Sequence, residues 1–207
     1  MQHSDPGLRV NASAARPIRD DPAERHAVQV NLVTPSQHES LVDLLCELHT
    51  YYNEHASIPR DLVRTHLVDT LLAADSPLQL VVASDNGTVL GFAAISLTYS
   101  LVDPTPDKRR HCWLKELYVR TSARSRGVGH ALMAWVARHA VEHGCARIDW
   151  PVQAANTPGQ AFYEGLGATP VVERLSYRLS EPALSQLAGI DLEASRLIFT
   201  SPASAPS

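Results

Sequence analysis

Three cysteines in 207 residues is a small number, and Cys46, Cys112 and Cys145 stand far apart with no CxxC pair. An odd, scattered set offers neither a disulfide framework nor a thiolate zinc site. It reads as buried or idle thiols in a reducing compartment. Long apolar runs are missing as well. No stretch approaches the roughly 18 residues of a membrane-spanning helix, and the N-terminus has no signal-peptide apolar region. A cytoplasmic protein with no membrane partner is therefore expected. A strong excess of one charge is also absent. With 18 Lys and Arg against 22 Asp and Glu, the net charge is -4, which gives no basic field for nucleic acid. The ten histidines contain no HExxH, so no metal site is expected. Neither GxxxxGK followed by Ser or Thr nor GxGxxG occurs, which removes the P-loop and the dinucleotide fingerprint.

What is present is an ordinary globular balance, 44% apolar and 19% charged, enough for one domain with a full core plus tails. Residues 1–26 are polar and carry Pro6, Pro17 and Pro22, and read as a disordered tail. Their acids Asp5, Asp20, Asp21 and Glu24 argue against a transit peptide. Residues 191–207, ending in TSPASAPS, read as a second tail. The domain is expected over 27–190.

Within it, AVQVNLVT alternates like a strand. Thr34, Pro35 and Gln37 then form a capping-box start, and Leu41, Leu44, Leu45, Leu48 and Tyr52 fall on one helical face. Pro59 opens a second helix reaching about Ala74. LQLVVAS, the turn DNG and TVLGFAAISLTYS predict a hairpin. HCWLKELYV predicts the next strand. Val128, Leu132, Trp135 and Val136 mark a helix that stops at Gly144. ARIDWPV predicts a strand, TPGQAFYEGLG a short helix and VVERLSYRL a late strand. This order implies an α/β or α+β sheet with helices on both faces.

The informative stretch is RSRGVG, Arg124 to Gly129, between a strand and a helix. A helix N-terminus leaves amide donors unpaired and carries partial positive charge. Glycine lets a ligand approach the backbone closely, and Arg124 and Arg126 add full charges. Strand, glycine turn and helix together suit a phosphate, although a plain tight turn with solvated arginines fits the same residues.

RSRGVG also matches the pyrophosphate loop Q/R-x-x-G-x-G/A of the GNAT N-acetyltransferases, which bind acetyl-CoA. LKELYV occupies the place of their fourth strand, and NTPGQAFYEGLGA from Asn156 resembles their downstream block. The three pieces arrive in order, and the resemblance covers roughly residues 28–188. It implies the GNAT fold, a mixed, mostly antiparallel sheet of six to seven strands with helices on both faces. Within the superfamily the chain looks most like the diamine/spermidine N-acetyltransferase-like group, with two departures. Ala155 stands where that group tends to carry Trp, and Lys115 where it often has a strand acid. Both bear on polyamine specificity.

The resemblance implies an acetyl-CoA-dependent N-acetyltransferase in which an amine of a small molecule attacks the thioester directly. The acceptor is a polyamine or diamine, a lysine-like amino acid or an aminoglycoside. A protein lysine or N-terminal amine, or a non-catalytic acyl-CoA-binding module, is the alternative. It assigns Arg124, Arg126, Gly127, Val128, Gly129 and His130 to the pyrophosphate, and the backbones of Leu117 and Val119 to the pantetheine arm. Asn156 meets the cofactor or caps its own helix. Tyr163 is the general-acid candidate beside the sulfur. Glu116 is the base candidate, with Asp149 second. Alternation sends Lys115 and Glu116 to opposite faces, so only one faces the site unless a bulge intervenes. Tyr51, Tyr52 and Glu54 are candidates for the acceptor pocket by cation–π and ion-pair contacts, and equally read as a helix end with core tyrosines. A homodimer is expected from the resemblance.

Overall fold

The computed structural model describes residues 28–53 and 56–189. The chain divides into two compact units, one ending at Gln153 and the other beginning at Ala154.

The first unit is built on one five-stranded sheet in sequence order. Its strands are β1 (Gln29–Leu32), β2 (Gln79–Asp85), β3 (Thr88–Tyr99), β4 (Arg110–Val119) and β5 (Ile148–Asp149). The first four pair antiparallel, and β5 runs parallel to β4. Three helices cover the sheet, α1 (His38–Tyr52), α2 (Arg60–His66) and α3 (Val128–Glu142).

Local chemistry accounts for most of these boundaries. Pro35–Gln37 forms a 3-10 turn leading into α1, and the Gln37 side chain accepts the Thr34 N–H at 3.0 Å, one arm of the expected capping box. Leu41 and Leu44 of the inward stripe are fully buried, while Tyr52 at its far end is exposed. Arg60 bonds Asp43 and Glu39 of α1 at 2.8 and 2.7 Å, joining α2 to it. α2 ends at His66, and a π-helical turn over Leu67–Leu71 replaces the expected continuation towards Ala74. Asn86 and Gly87 both have positive φ, 48° and 79°. Such a turn matches the right-handed twist of the β2–β3 hairpin. Gly144, with φ 69°, follows the end of α3.

β2 is buried almost throughout, because helices cover both faces. Leu80, Val82, Phe92, Ala94 and Tyr118 form one cluster with Leu41 and Leu44 of α1. The opposite face takes Leu132, which lies against Gly91, and the buried Val128 and Val136 of α3.

The β3–β4 ladder shifts register between Ala94, which faces Glu116, and Ile95, which faces Leu114. Lys115 is the extra residue of a bulge. Simple alternation would put Leu114 and Glu116 on the same face. The bulge separates them, so Glu116 shares the α1 side with Tyr118 while Lys115 is exposed.

The second unit holds α4 (Thr157–Gly165) and α5 (Ala183–Ala188). The late strand expected from VVERLSYRL is not formed. Val172, Leu175 and Tyr177 are 83%, 76% and 88% exposed, and without a neighbouring ladder their β propensity has nothing to pair with. Among the described residues the sheet therefore has five strands where six to seven were expected. ARIDWPV is likewise reduced to Ile148–Asp149. Pro151 follows two residues later and has no N–H to extend a ladder.

Candidate acetyl-transfer site

Two features of β4 define the site on the first unit. One is an open edge. β5 pairs with β4 only at Cys112 and Trp113. From Leu114 to Val119 that edge has no partner strand among the described residues. The Arg120 N–H donates to Leu90 of β3 at 2.8 Å, so alternation turns the backbone groups of Leu117 and Val119 towards the open edge. These are the two residues expected to pair with a pantetheine arm.

The other feature is the chain that leaves β4. A 3-10 turn (Thr121–Ala123) leads to Arg124 in extended backbone, Ser125 at φ 59° and Gly127 at φ 80°. α3 starts at Val128, and no side chain caps its first turn. Ala131 is the first residue whose N–H finds a helical carbonyl, that of Gly127 at 2.9 Å. The amides of Val128, Gly129 and His130 therefore form the donor set of that turn. Among the described residues, chain neighbours aside, no heavy atom lies within 4 Å of where a Gly127 Cβ would stand. Arg126 and His130 are exposed and Val128 is buried. This cradle of amides and cations suits a diphosphate.

Arg124 is placed differently from the expectation of a simple phosphate arm. Its Nε–H donates to the Val119 carbonyl at 3.1 Å. Its guanidinium carbon lies 5.6 Å from the Tyr118 ring centre and 6.0 Å from that of Tyr51. The charge is held where β4 meets the end of α1.

Glu116 projects to the same junction. The Tyr52 hydroxyl donates to its two carboxylate oxygens at 3.4 and 3.3 Å. Burial raises the Glu116 pKa above its ordinary value, and the Tyr52 bond, the Leu117 backbone and Lys115 work against that rise. A half-buried carboxylate of raised pKa is a stronger base than a solvated one. The structure thus brings together Tyr51, Tyr52 and Glu116, with Tyr51 edge-on to Tyr52 at 5.2 Å. Glu54 lies outside the described residues. Asp149 is bonded to Arg147 at 2.6 Å, a salt bridge that occupies the second base candidate.

On the second unit, Asn156 accepts the Gly159 N–H at 3.0 Å and so caps α4. A Cβ on Gly159 would stand 2.5 Å from Asn156 Nδ2, so the cap requires glycine there. Tyr163 is half-buried on α4, with its ring 5.1 Å from that of Phe162.

Sequence reasoning missed Tyr118 and Glu47. Tyr118 is buried, and its hydroxyl donates to Glu47 at 3.0 Å. The available signal was an acid set between Leu44 and Leu48 on an otherwise inward stretch of α1.

Against known proteins, the profile described as "Acetyltransferase (GNAT) family" matches residues 39–168, more than half of the chain. The chain belongs to the GNAT acetyltransferase family. Its relatives include a Bos taurus thialysine N-epsilon-acetyltransferase, 28% identical over 104 residues, 49% of this chain and 58% of that enzyme. An aminoglycoside N(6')-acetyltransferase type 1 of Salmonella typhimurium is 30% identical over 115 residues, 55% of this chain and 78% of the enzyme. Both names are those of N-acetyltransferases, in keeping with the amine-acetylating group that the sequence resembles. Among solved structures, an integron cassette protein from the mobile metagenome of V. cholerae aligns with a TM-score of 0.71 at 28% identity. The alignment covers 78% of this chain and 97% of that one. This GNAT chain thus combines the family's fold with an open β4 edge and a glycine turn. No helix among the described residues is long and apolar enough to cross a membrane.

Proposed function

We propose that the protein is an acetyl-CoA-dependent N-acetyltransferase whose acceptor is a primary amine of a small molecule. The observation that carries this reading is the continuity of β4. One strand presents an edge without a partner strand at Leu117 and Val119, the half-buried Glu116, and the exit into the Arg126–Gly127 turn. The thialysine and aminoglycoside relatives support an acceptor of lysine-like or aminoglycoside type, and the family resemblance adds a polyamine or diamine.

Acetyl-CoA supplies an activated acyl thioester. The amides of Val128, Gly129 and His130, with Arg126, would hold its diphosphate, and the Leu117 and Val119 backbones its pantetheine arm. An alkyl ammonium has a pKa of about 10.4 and cannot attack while protonated. Glu116 removes that proton directly or through a water, and Tyr52 steadies its carboxylate. Tyr163 is the candidate that gives a proton to the departing sulfur. Tyr51 and Tyr52 offer aromatic faces to a cationic acceptor. Holding both reactants in place supplies much of the remaining acceleration.

Gly127→Glu tests the cofactor half by calorimetry. A side chain and a negative charge then stand where the diphosphate would lie, and acetyl-CoA binding should be lost. Unchanged binding in the folded variant would overturn the loop assignment.

A further inference from the structure

Glu47 has no place in the reading above, yet four polar contacts converge on its carboxylate. It lies on α1, one turn before Tyr51. Its Oε1 accepts the Tyr118 hydroxyl at 3.0 Å, the Thr121 N–H at 3.1 Å and the Thr121 hydroxyl at 3.3 Å. Its Oε2 lies 3.9 Å from Arg120 Nε, a buried atom with no hydrogen-bond partner among the described residues. Thr121 opens the 3-10 turn that begins the path from β4 to Gly127. The far end of that path is fixed by the burial of Val128 in α3. The near end is fixed by Glu47.

We infer that Glu47 is a positioning residue for the diphosphate cradle, holding the turn at Thr121 so that the amides of Val128, Gly129 and His130 share one aim. The inference rests on the acetyl-CoA reading of that turn. The geometry separates two effects of opposite sign. An acid near an anion site repels the anion, so removing its charge alone should tighten binding. Removing the anchor leaves the Thr121 N–H and the Tyr118 hydroxyl without that acceptor and loosens the turn, which should weaken binding. The positional effect is expected to win because three hydrogen bonds converge on one oxygen, whereas the surface charge is screened.

The test uses the full chain with Glu47→Ala, which removes the anchor, Glu47→Gln, which removes the charge and keeps the accepting oxygen, and Tyr118→Phe as a milder variant that removes one contact. Calorimetry gives the acetyl-CoA Kd of each folded protein. Steady-state rates compare KM for acetyl-CoA with KM for S-acetylpantetheine, a thioester with no diphosphate. The expected result is an acetyl-CoA Kd and KM raised about tenfold in Glu47→Ala, less in Tyr118→Phe, and unchanged or lowered in Glu47→Gln, with KM for S-acetylpantetheine unchanged in all three. A purely structural role would lower the melting temperature without distinguishing the two thioesters. Acetyl-CoA binding that is unchanged or tighter in folded Glu47→Ala would overturn the inference, and so would an equal loss for both thioesters. If Gly127→Glu abolishes binding while Glu47→Ala binds normally, only this inference fails. If Gly127→Glu binds normally, the cofactor reading itself fails.

Discussion

At the residue scale, Glu116 and Tyr163 are asked to move protons in opposite directions, and each leaves its own kinetic trace. Glu116→Gln keeps the shape and the Tyr52 contact but cannot accept a proton. Its kcat/KM should fall about a hundredfold or more. The pH profile adds a sign. Only the ionised carboxylate acts as base, and burial raises its pKa, so the acid limb of kcat/KM should lie above the ordinary carboxylate value of about 4.3. Tyr52→Phe removes a hydrogen bond that favours the ionised form, and should move that limb to still higher pH. An unmoved limb would detach Tyr52 from the base. Stability follows the same linkage. The folded pKa of Glu116 exceeds its unfolded value, so its contribution is fully present below the unfolded pKa and lost as pH rises through the folded one. Relative to Glu116→Gln, the wild type should therefore melt higher at acid pH than at neutral pH. Tyr163→Phe should lower kcat far more than acetyl-CoA affinity, since the ring is kept and only the hydroxyl proton is lost. Equal turnover would remove it from the acid role.

At the scale of elements, the sequence was most informative where structure is set by neighbours along the chain. The Thr34–Gln37 start, the Leu41 and Leu44 stripe, the Asn86–Gly87 turn and the Gly127 entry to α3 all depend on residues a few positions apart, and all are formed. What could not be read was set by partners far along the chain. The bulge at Lys115 follows from the pairing of β4 with β3, and it decides the question of whether Lys115 or Glu116 faces α1. The same pairing, with α1 laid across it, makes Glu47 a contact of Tyr118 and Thr121. VVERLSYRL has the residues of a strand but no ladder in this structure. Asn156 was read both as cap and as cofactor contact, and its cap geometry gives a test at this scale. Gly159→Ala brings a Cβ into the Asn156 side chain, so it should cost about 1 kcal/mol as the cap is displaced. Faster hydrogen exchange confined to the α4 amides would report it, and unchanged exchange would mean that the cap contributes little to holding that helix.

For the whole molecule, a homodimer remains a proposal from the family resemblance, and the exposed Val172, Leu175 and Tyr177 of the second unit are apolar surface that a second copy could cover. Sedimentation of the full chain at several concentrations should give the dimer mass, and Tyr177→Asp should shift it towards monomer. The acceptor is the larger question, because the bulge turns Glu116 rather than Lys115 towards α1, with Tyr52 against the carboxylate. An acid held by the Tyr52 hydroxyl favours a cationic amine, while Ala155 and Lys115 depart from the polyamine group. The most direct measurement is thiol release from acetyl-CoA across polyamines, diamines, lysine analogues, aminoglycosides and N-terminal peptides. A small-molecule N-acetyltransferase should release thiol with at least one small primary amine, and lose that turnover in Glu116→Gln. Tight acetyl-CoA binding with no release on any small amine would contradict it.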